Sequence, residues 1–101
     1  MPNYLNSHFP NRWREVTSMN APLNNDEWIV VMRVGNGVDI WGEGVFDFHY
    51  WYRTDTGLWA HKRGETPSEL LSSGVTPLNN QLEAYGIVDF YTSDAVYYIV
   101  K

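Results

Sequence analysis

Residues 45–53 read Val-Phe-Asp-Phe-His-Tyr-Trp-Tyr-Arg, and this stretch decides the fold prediction. Its even positions, from Phe46 to Tyr52, are all aromatic, whereas its odd positions from 47 onward carry Asp47, His49, Trp51 and Arg53. Residues two apart share one face of a β-strand. The stretch therefore predicts a strand with an aromatic packing face and a polar face that solvent can reach.

The residues after this strand predict a β-hairpin. Asp55-Thr56-Gly57 fits a three-residue hairpin loop, in which a type I turn is followed by a left-handed glycine. A four-residue loop would instead set Tyr50 opposite His61. The three-residue loop sets odd positions of the two strands against each other on one face: Arg53 with Trp59, Trp51 with His61 and His49 with Arg63.

Other strands are predicted on both sides of this hairpin. Residues 28–34 are β-branched and apolar, which predicts a strand that ends at a Gly35-Asn36-Gly37 turn. Residues 38–41 would return from that turn as a short strand. Residues 87–91 and 95–100 are rich in β-branched and aromatic side chains, which predicts a final hairpin with its terminal strand anchored in the sheet.

Three short helices are also candidates. Pro10 sits where a helix over residues 10–17 would begin. Thr66-Pro67 and Thr76-Pro77 have the composition of helix starts, with Gly74 and Gly86 as stops. The predicted fold class is α+β, a single small domain with an antiparallel sheet of about five strands and one or two short helices. Residues 1–27 would form an irregular or short helical segment packed on a sheet domain spanning residues 28–101.

Composition excludes several classes of site and partner. Of 101 residues 44% are hydrophobic, enough for one core, and no apolar run is long enough to span a bilayer. The chain has no Cys, which excludes disulfides, thiolate zinc sites and a cysteine nucleophile. The net charge of −5 disfavours nucleic acid and anionic membranes as partners. No signal peptide is recognised, and a cytoplasmic protein without a cofactor is expected.

His49 is the candidate for chemistry. An imidazole beside a carboxylate can serve as a general base, with Asp47 or Asp89 orienting it. No Ser occurs in a Gly-x-Ser-x-Gly setting, so the nucleophile of such an enzyme is not evident. A metal site formed by Asp47, His49 and His61 is a second interpretation. The ordinary alternative is a histidine on the sheet surface beside Trp51.

Binding is the favoured interpretation of the same hairpin. Residues 64–100 contain five acids and no Lys or Arg, so an acidic surface would lie beside a basic hairpin and suit the steering of a basic protein partner. Exposed Trp41, Trp51 and Trp59 would alternatively form a platform for a glycan. A homodimer through edge strands is a further alternative. The candidate binding residues are Asp47, His49, Trp51, Arg53, Trp59, His61, Lys62 and Arg63.

A family resemblance rests on the same residues. Asp47-Phe48-His49, Tyr52-Arg53, Gly57, Trp59, His61-Lys62, Gly64 and Thr66-Pro67 resemble the signature of a little-characterised bacterial domain family. Longer members of that family look like papain-type cysteine hydrolases, and the resemblance implies that position 49 corresponds to the catalytic base. Here Ala60 replaces a Ser that the family favours, and the cysteine is missing. The resemblance therefore implies a pseudo-enzyme or detached module.

These observations lead to one functional prediction with two alternatives. The favoured function is a small non-catalytic module that binds a protein partner, such as an inhibitor or anti-defence protein encoded by a phage or a bacterium. The first alternative is a hydrolase-like enzyme or pseudo-enzyme with His49 as base and Asp47 as its orienter. The second is glycan binding through exposed tryptophans.

Overall fold

The computed structural model describes residues 10–61 and 69–101, and their strands form one antiparallel sheet of six strands in the order β1-β6-β2-β3-β4-β5. Neither range contains a helix, so the α+β prediction is wrong and the fold is all-β. The sheet also has one strand more than the roughly five expected. The strands are β1 Trp13–Val16, β2 Trp28–Val38, β3 Gly44–Arg53, β4 Trp59–His61, β5 Glu69–Leu70 and β6 Val96–Val100.

Strand pairing replaces the predicted helices. Residues 13–16 pair with β6, from Trp13 opposite Val100 to Val16 opposite Tyr97, so the first predicted helix is an edge strand of the sheet. The Trp13 ring packs edge-on against Tyr98. Tertiary burial of this ring outweighs the weak helix signal of Pro10, because propensity is only a small energy term.

The second and third helix signals have different outcomes. The start at Thr66-Pro67 lies outside the described residues, and Glu69–Leu70 beyond it pair with β4. The start at Thr76 forms only a single turn, in which the amide of Asn80 donates to the Thr76 carbonyl. The chain then leaves the helical path because Leu82 is buried in the core beneath it.

The predicted turn at Gly35-Asn36-Gly37 is also wrong, because β2 continues through it to Val38. A β-carbon at Gly35 would lie 2.2 Å from a ring carbon of Phe90, and one at Gly37 would lie 2.8 Å from Ile87. The two glycines therefore provide space for close packing in an extended strand, not for a reversal of the chain. The reversal occurs further on, between Val38 and Gly44.

Each face of the sheet buries a separate hydrophobic cluster. The first face carries odd-numbered residues of β2 and β3 and lies under residues 71–95, here called the covering segment. Leu71, Leu82, Phe90 and Tyr91 of that segment pack with Ile29, Val31, Trp51, Trp59 and Ile99. The second face buries Val30, Met32, Tyr98 and Val100. The predicted anchoring of the terminal strand is confirmed, since β6 pairs with both β1 and β2.

The predicted final hairpin does not form. Residues 87–91 make only isolated bridges, between Ala84 and Ile87 and between Gly35 and Tyr91. They belong to the covering segment and cross the first face, because Phe90 and Tyr91 bury their rings there. Ser93 holds the end of this segment on β2, since its hydroxyl accepts the amide of Val34.

Candidate functional site

The hairpin of β3 and β4 has the predicted register. The amide of Thr54 donates to the carbonyl of Leu58, and Gly57 has a φ of 84°, as a left-handed loop residue should. Trp51 lies opposite His61, and Arg53 lies opposite Trp59. The predicted pairing of His49 with Arg63 falls outside the described residues, as do Lys62 and Arg63 themselves. Within the described part, the hairpin prediction is confirmed.

This register brings two histidines into contact. Nε2 of His49 and Nδ1 of His61 lie 2.8 Å apart, which is a hydrogen-bonding distance. The side chains point to the same face because they occupy odd positions on adjacent strands. The two residues are here called the histidine pair.

Solvent does not reach the histidine pair as predicted. His49 is 7% exposed and His61 is 2% exposed, and Trp51 between them is fully buried. The assignment of faces is therefore inverted: the odd face of β3 is covered, and the aromatic even face is half exposed, with Phe46 largely in solvent. The reason is that the covering segment supplies both apolar rings and polar partners to the odd face.

Glu69 of β5 is the carboxylate that lies near the histidine pair. Its Oε1 lies 3.5 Å from Nε2 of His61, which is buried and makes no hydrogen bond to any described residue. A carboxylate only accepts, so it favours the His61 tautomer with a proton on Nε2. In that tautomer Nδ1 of His61 accepts a hydrogen bond from Nε2 of His49. The Glu69 carboxylate lies near the pair without a hydrogen bond to it.

The polar atoms around the pair have partners that sequence reasoning did not identify. The hydroxyl of Tyr91 donates to Asp47 over 3.0 Å, and its ring lies 5.1 Å from that of His49. The indole of Trp51 donates to the side-chain oxygen of Asn80 over 3.0 Å. Neither Tyr91 nor Asn80 lies near the hairpin in sequence, so no local pattern indicates these contacts.

The other candidate binding residues that the structure describes, Arg53 and Trp59, do not form one exposed surface. The Arg53 guanidinium lies over the ring of Trp59, 5.6 Å from its centre, and Nε donates to the carbonyl of Gly57. Trp59 itself is buried, as is Trp51, whereas Trp41 is 80% exposed. The three tryptophans therefore do not assemble the predicted glycan platform.

The geometry also limits the chemical alternatives. Among the described residues, no three His, Asp or Glu side chains lie close enough together to hold a metal ion. The Asp47 carboxylate accepts hydrogen bonds from the hydroxyl of Tyr91 and the amide of Phe48. It does not join His49 and His61 in a three-residue metal site. Only 7% of the His49 surface is exposed. Catalysis by His49 stays a prediction.

The turn that joins β2 to β3 is exposed, and hydrogen bonds hold its backbone. The turn between β2 and β3 presents Ile40, 79% exposed, and Trp41, 80% exposed, and Val38 and Phe46 on the strands that lead into and out of it are also exposed. These four residues are here called the tip patch. The Asp39 carboxylate accepts the amides of both Trp41 and Glu43, and two backbone hydrogen bonds link Asp39 with Gly42 and Glu43. The turn therefore displays apolar side chains on a backbone that is held in place.

Charge is distributed unevenly between the two ends of the sheet. Residues 34–52 and 69–100 contain no Lys or Arg. Arg12, Arg14 and Lys101 lie beside the paired ends of β1 and β6, where Trp28 is opposite Val100. Arg33 lies between the ends, and its guanidinium donates to the carbonyls of Ser93, Pro77 and Leu78. The tip patch therefore belongs to the acidic end of the molecule.

Comparisons of the chain with protein-family models, curated proteins and solved structures find no match. The resemblance to papain-like hydrolases stays a prediction. In the described part of the chain, no helix is both long and apolar enough to cross a membrane.

Proposed function

We propose that this protein is a small binding module that recognises a protein partner through the tip patch. The observation that carries the proposal is the display of Ile40 and Trp41, each about four-fifths exposed, on a turn that the Asp39 carboxylate holds. A monomer gains nothing in stability from leaving a large aromatic side chain in water. Exposed apolar patches of this kind mark interaction sites.

The turn suits recognition because it is ordered before binding. Ordering a loop on binding costs free energy, and hydrogen bonds that already hold the turn reduce that cost. Trp is also among the residues that contribute most to protein interfaces. Val38 and Phe46 extend the apolar surface from the turn along β2 and β3, on the second face of the sheet. They add exposed apolar surface at this end of the sheet for a partner to cover.

The tip patch differs from the binding surface on β3 and β4 that the sequence predicted. The sequence predicted an interface on the histidine pair and its neighbours, of which His49, Trp51, Trp59 and His61 are buried. The tip patch lies at the other end of β3, beyond Asp47. An inhibitory role remains part of the proposal, since a rigid apolar turn that fills a pocket on another protein can block that pocket.

Site-specific photocrosslinking tests this function. A photoreactive amino acid replaces Trp41 in one variant and Leu23, an exposed apolar residue outside the tip patch, in a matched control. We expect the first variant to crosslink one host protein, and unlabelled wild-type protein to compete while an unlabelled Ile40→Ser/Trp41→Ser variant does not. Equal crosslinking from both positions, no crosslinking, or crosslinking only to a second copy of this chain would contradict the proposal.

A further inference from the structure

The acidic residues around the tip patch define the chemistry of the partner. Glu43 is exposed within the turn itself, and its backbone pairs with that of Asp39. The Asp39 carboxylate lies in the same turn and accepts the amides of Trp41 and Glu43. An apolar centre with carboxylates beside it matches a surface that offers an apolar pocket with cations at its rim.

A second turn adds acids to the same end. Ala84 and Ile87 form a bridge that closes this turn, and Ile87 packs over Gly37 of β2. A β-carbon on Gly86 would lie 3.7 Å from Ile40, so the turn adjoins the tip patch. Glu83 precedes it and Asp89 follows it, with Glu83 exposed and Asp89 half-buried. The turn that adjoins Ile40 is therefore flanked in sequence by two acidic residues, and Glu43 lies in the other turn.

The described cations lie too far away to neutralise this end. β2 is an 11-residue strand, so about 30 Å separates the tip from Trp28 and the basic residues beside it. That distance is about three to four times the Debye length at physiological ionic strength. Arg33 is nearer, but its guanidinium is committed to three carbonyls of the covering segment.

We infer that the partner is a basic protein surface with Lys or Arg around an apolar cleft. This inference rests on the proposed function and adds the charge of the partner to it. Nucleic acids and anionic membranes are other ligands that an exposed Trp and Ile could bind. The same carboxylates repel the phosphates of both. Electrostatic attraction would orient the acidic end toward the partner and accelerate association.

Selection from a library of random peptides displayed on a carrier tests the inference with the intact protein. We expect wild-type protein to enrich peptides with bulky apolar residues next to Lys or Arg. A triple variant that carries Glu43→Gln, Glu83→Gln and Asp89→Asn should bind the enriched peptides on the order of tenfold more weakly than wild type at low salt. The loss of affinity should be smaller at high salt. Asp55→Asn, in the loop at the other end of β3, is the matched control and should change affinity little.

The outcomes separate this inference from the proposed function. If the enriched peptides are apolar without Lys or Arg, or bind the neutralised variant equally well, the basic partner is contradicted while binding at the tip stands. If Ile40→Ser/Trp41→Ser enriches the same peptides as wild type, the tip patch itself is contradicted. Binding to vesicles that contain phosphatidylserine would overturn the assignment of a basic protein. Thermal unfolding of each variant establishes that it is folded before selection.

Discussion

The ring of Phe90 lies directly against the backbone of Gly35 in the middle of the sheet. A β-carbon at Gly35 would sit 2.2 and 2.3 Å from two ring carbons and 2.8 Å from the carbonyl oxygen of Phe90. The covering segment approaches the sheet at this point so closely that only glycine fits. The contact holds Tyr91 in its bridge to Gly35, and Tyr91 in turn contacts Asp47 and His49.

Replacing this glycine should therefore destabilise the protein strongly. We expect Gly35→Ala to lower the free energy of unfolding by about 2–4 kcal/mol, because overpacking displaces Phe90 or bends β2. Urea denaturation measures the loss. Gly44→Ala is the matched control, since a β-carbon there meets nothing within 4 Å and the effect should stay within about 0.5 kcal/mol. Equal effects at both positions would show that the close approach is absent.

The histidine pair should contribute to stability as a coupled unit. We expect His49→Ala to cost about 1–3 kcal/mol, because it leaves a buried nitrogen of His61 without its partner. A double-mutant cycle with His61→Ala should give a coupling free energy of at least about 0.5 kcal/mol. Thermal or urea unfolding of the four proteins measures it. Strictly additive losses would mean that the two imidazoles do not interact in solution.

Arg33 should hold the covering segment on the sheet. Its guanidinium donates to the carbonyls of Ser93, Pro77 and Leu78, and a hydrogen bond to a charged group contributes about 1.5–3 kcal/mol. We expect Arg33→Met to destabilise the fold by at least about 2 kcal/mol and to speed amide exchange across residues 77–93. Arg53→Met, which removes an exposed cation over Trp59, should cost under about 1 kcal/mol. An unchanged exchange pattern in Arg33→Met would refute this role.

The order of the tip should depend on one side-chain oxygen. Asp39→Ala removes the acceptor for the amides of Trp41 and Glu43, so both amides should exchange faster with solvent. Asp39→Asn keeps an acceptor oxygen and should preserve most of the protection. We expect Asp39→Ala to lower the free energy of opening the turn locally by about 1 kcal/mol. Hydrogen exchange followed by NMR distinguishes the two variants, and identical protection in both would contradict the assignment.

Acid should remove the contribution of Glu27. Its hydrogen bond from Arg14, and a second from the amide of Asn24, hold the pKa of this carboxyl below its ordinary value. A carboxyl whose folded pKa is depressed stabilises the fold above its unfolded pKa, and the contribution disappears as pH falls through the folded pKa. We expect Glu27→Gln to be less stable than wild type at neutral pH and to approach it as the pH falls through the folded pKa of Glu27. A constant difference across the range would contradict the ion pair.

The β3–β4 hairpin shows what local sequence can predict. Its register depends on a three-residue loop with a left-handed Gly57 and on the alternation of residues 45–53, and both are local properties. The side of the sheet that solvent reaches is not local. Alternation identifies which residues share a face, but burial depends on whether another segment covers that face.

Gly35 and Thr76 show why the other predictions failed. Gly-Asn-Gly is typical of turns, yet a glycine also permits close approach of a ring, and only the position of Phe90 distinguishes the two. The Thr76 signal is correct for one turn, but extending it would compete with burial of Leu82. A short helix has little intrinsic stability to set against such burial.

The sequence by itself determined the strand over residues 45–53, the hairpin loop at Gly57, the pairing of the two histidine strands and the acidic character of the chain, because these follow from neighbouring residues and from counting charges. Only the tertiary structure decided that the histidine pair is covered and that Ile40 and Trp41 are displayed. The physical reason is that exposure is set by which distant segment packs on each face, and that depends on contacts such as Phe90 on Gly35 that no local pattern contains.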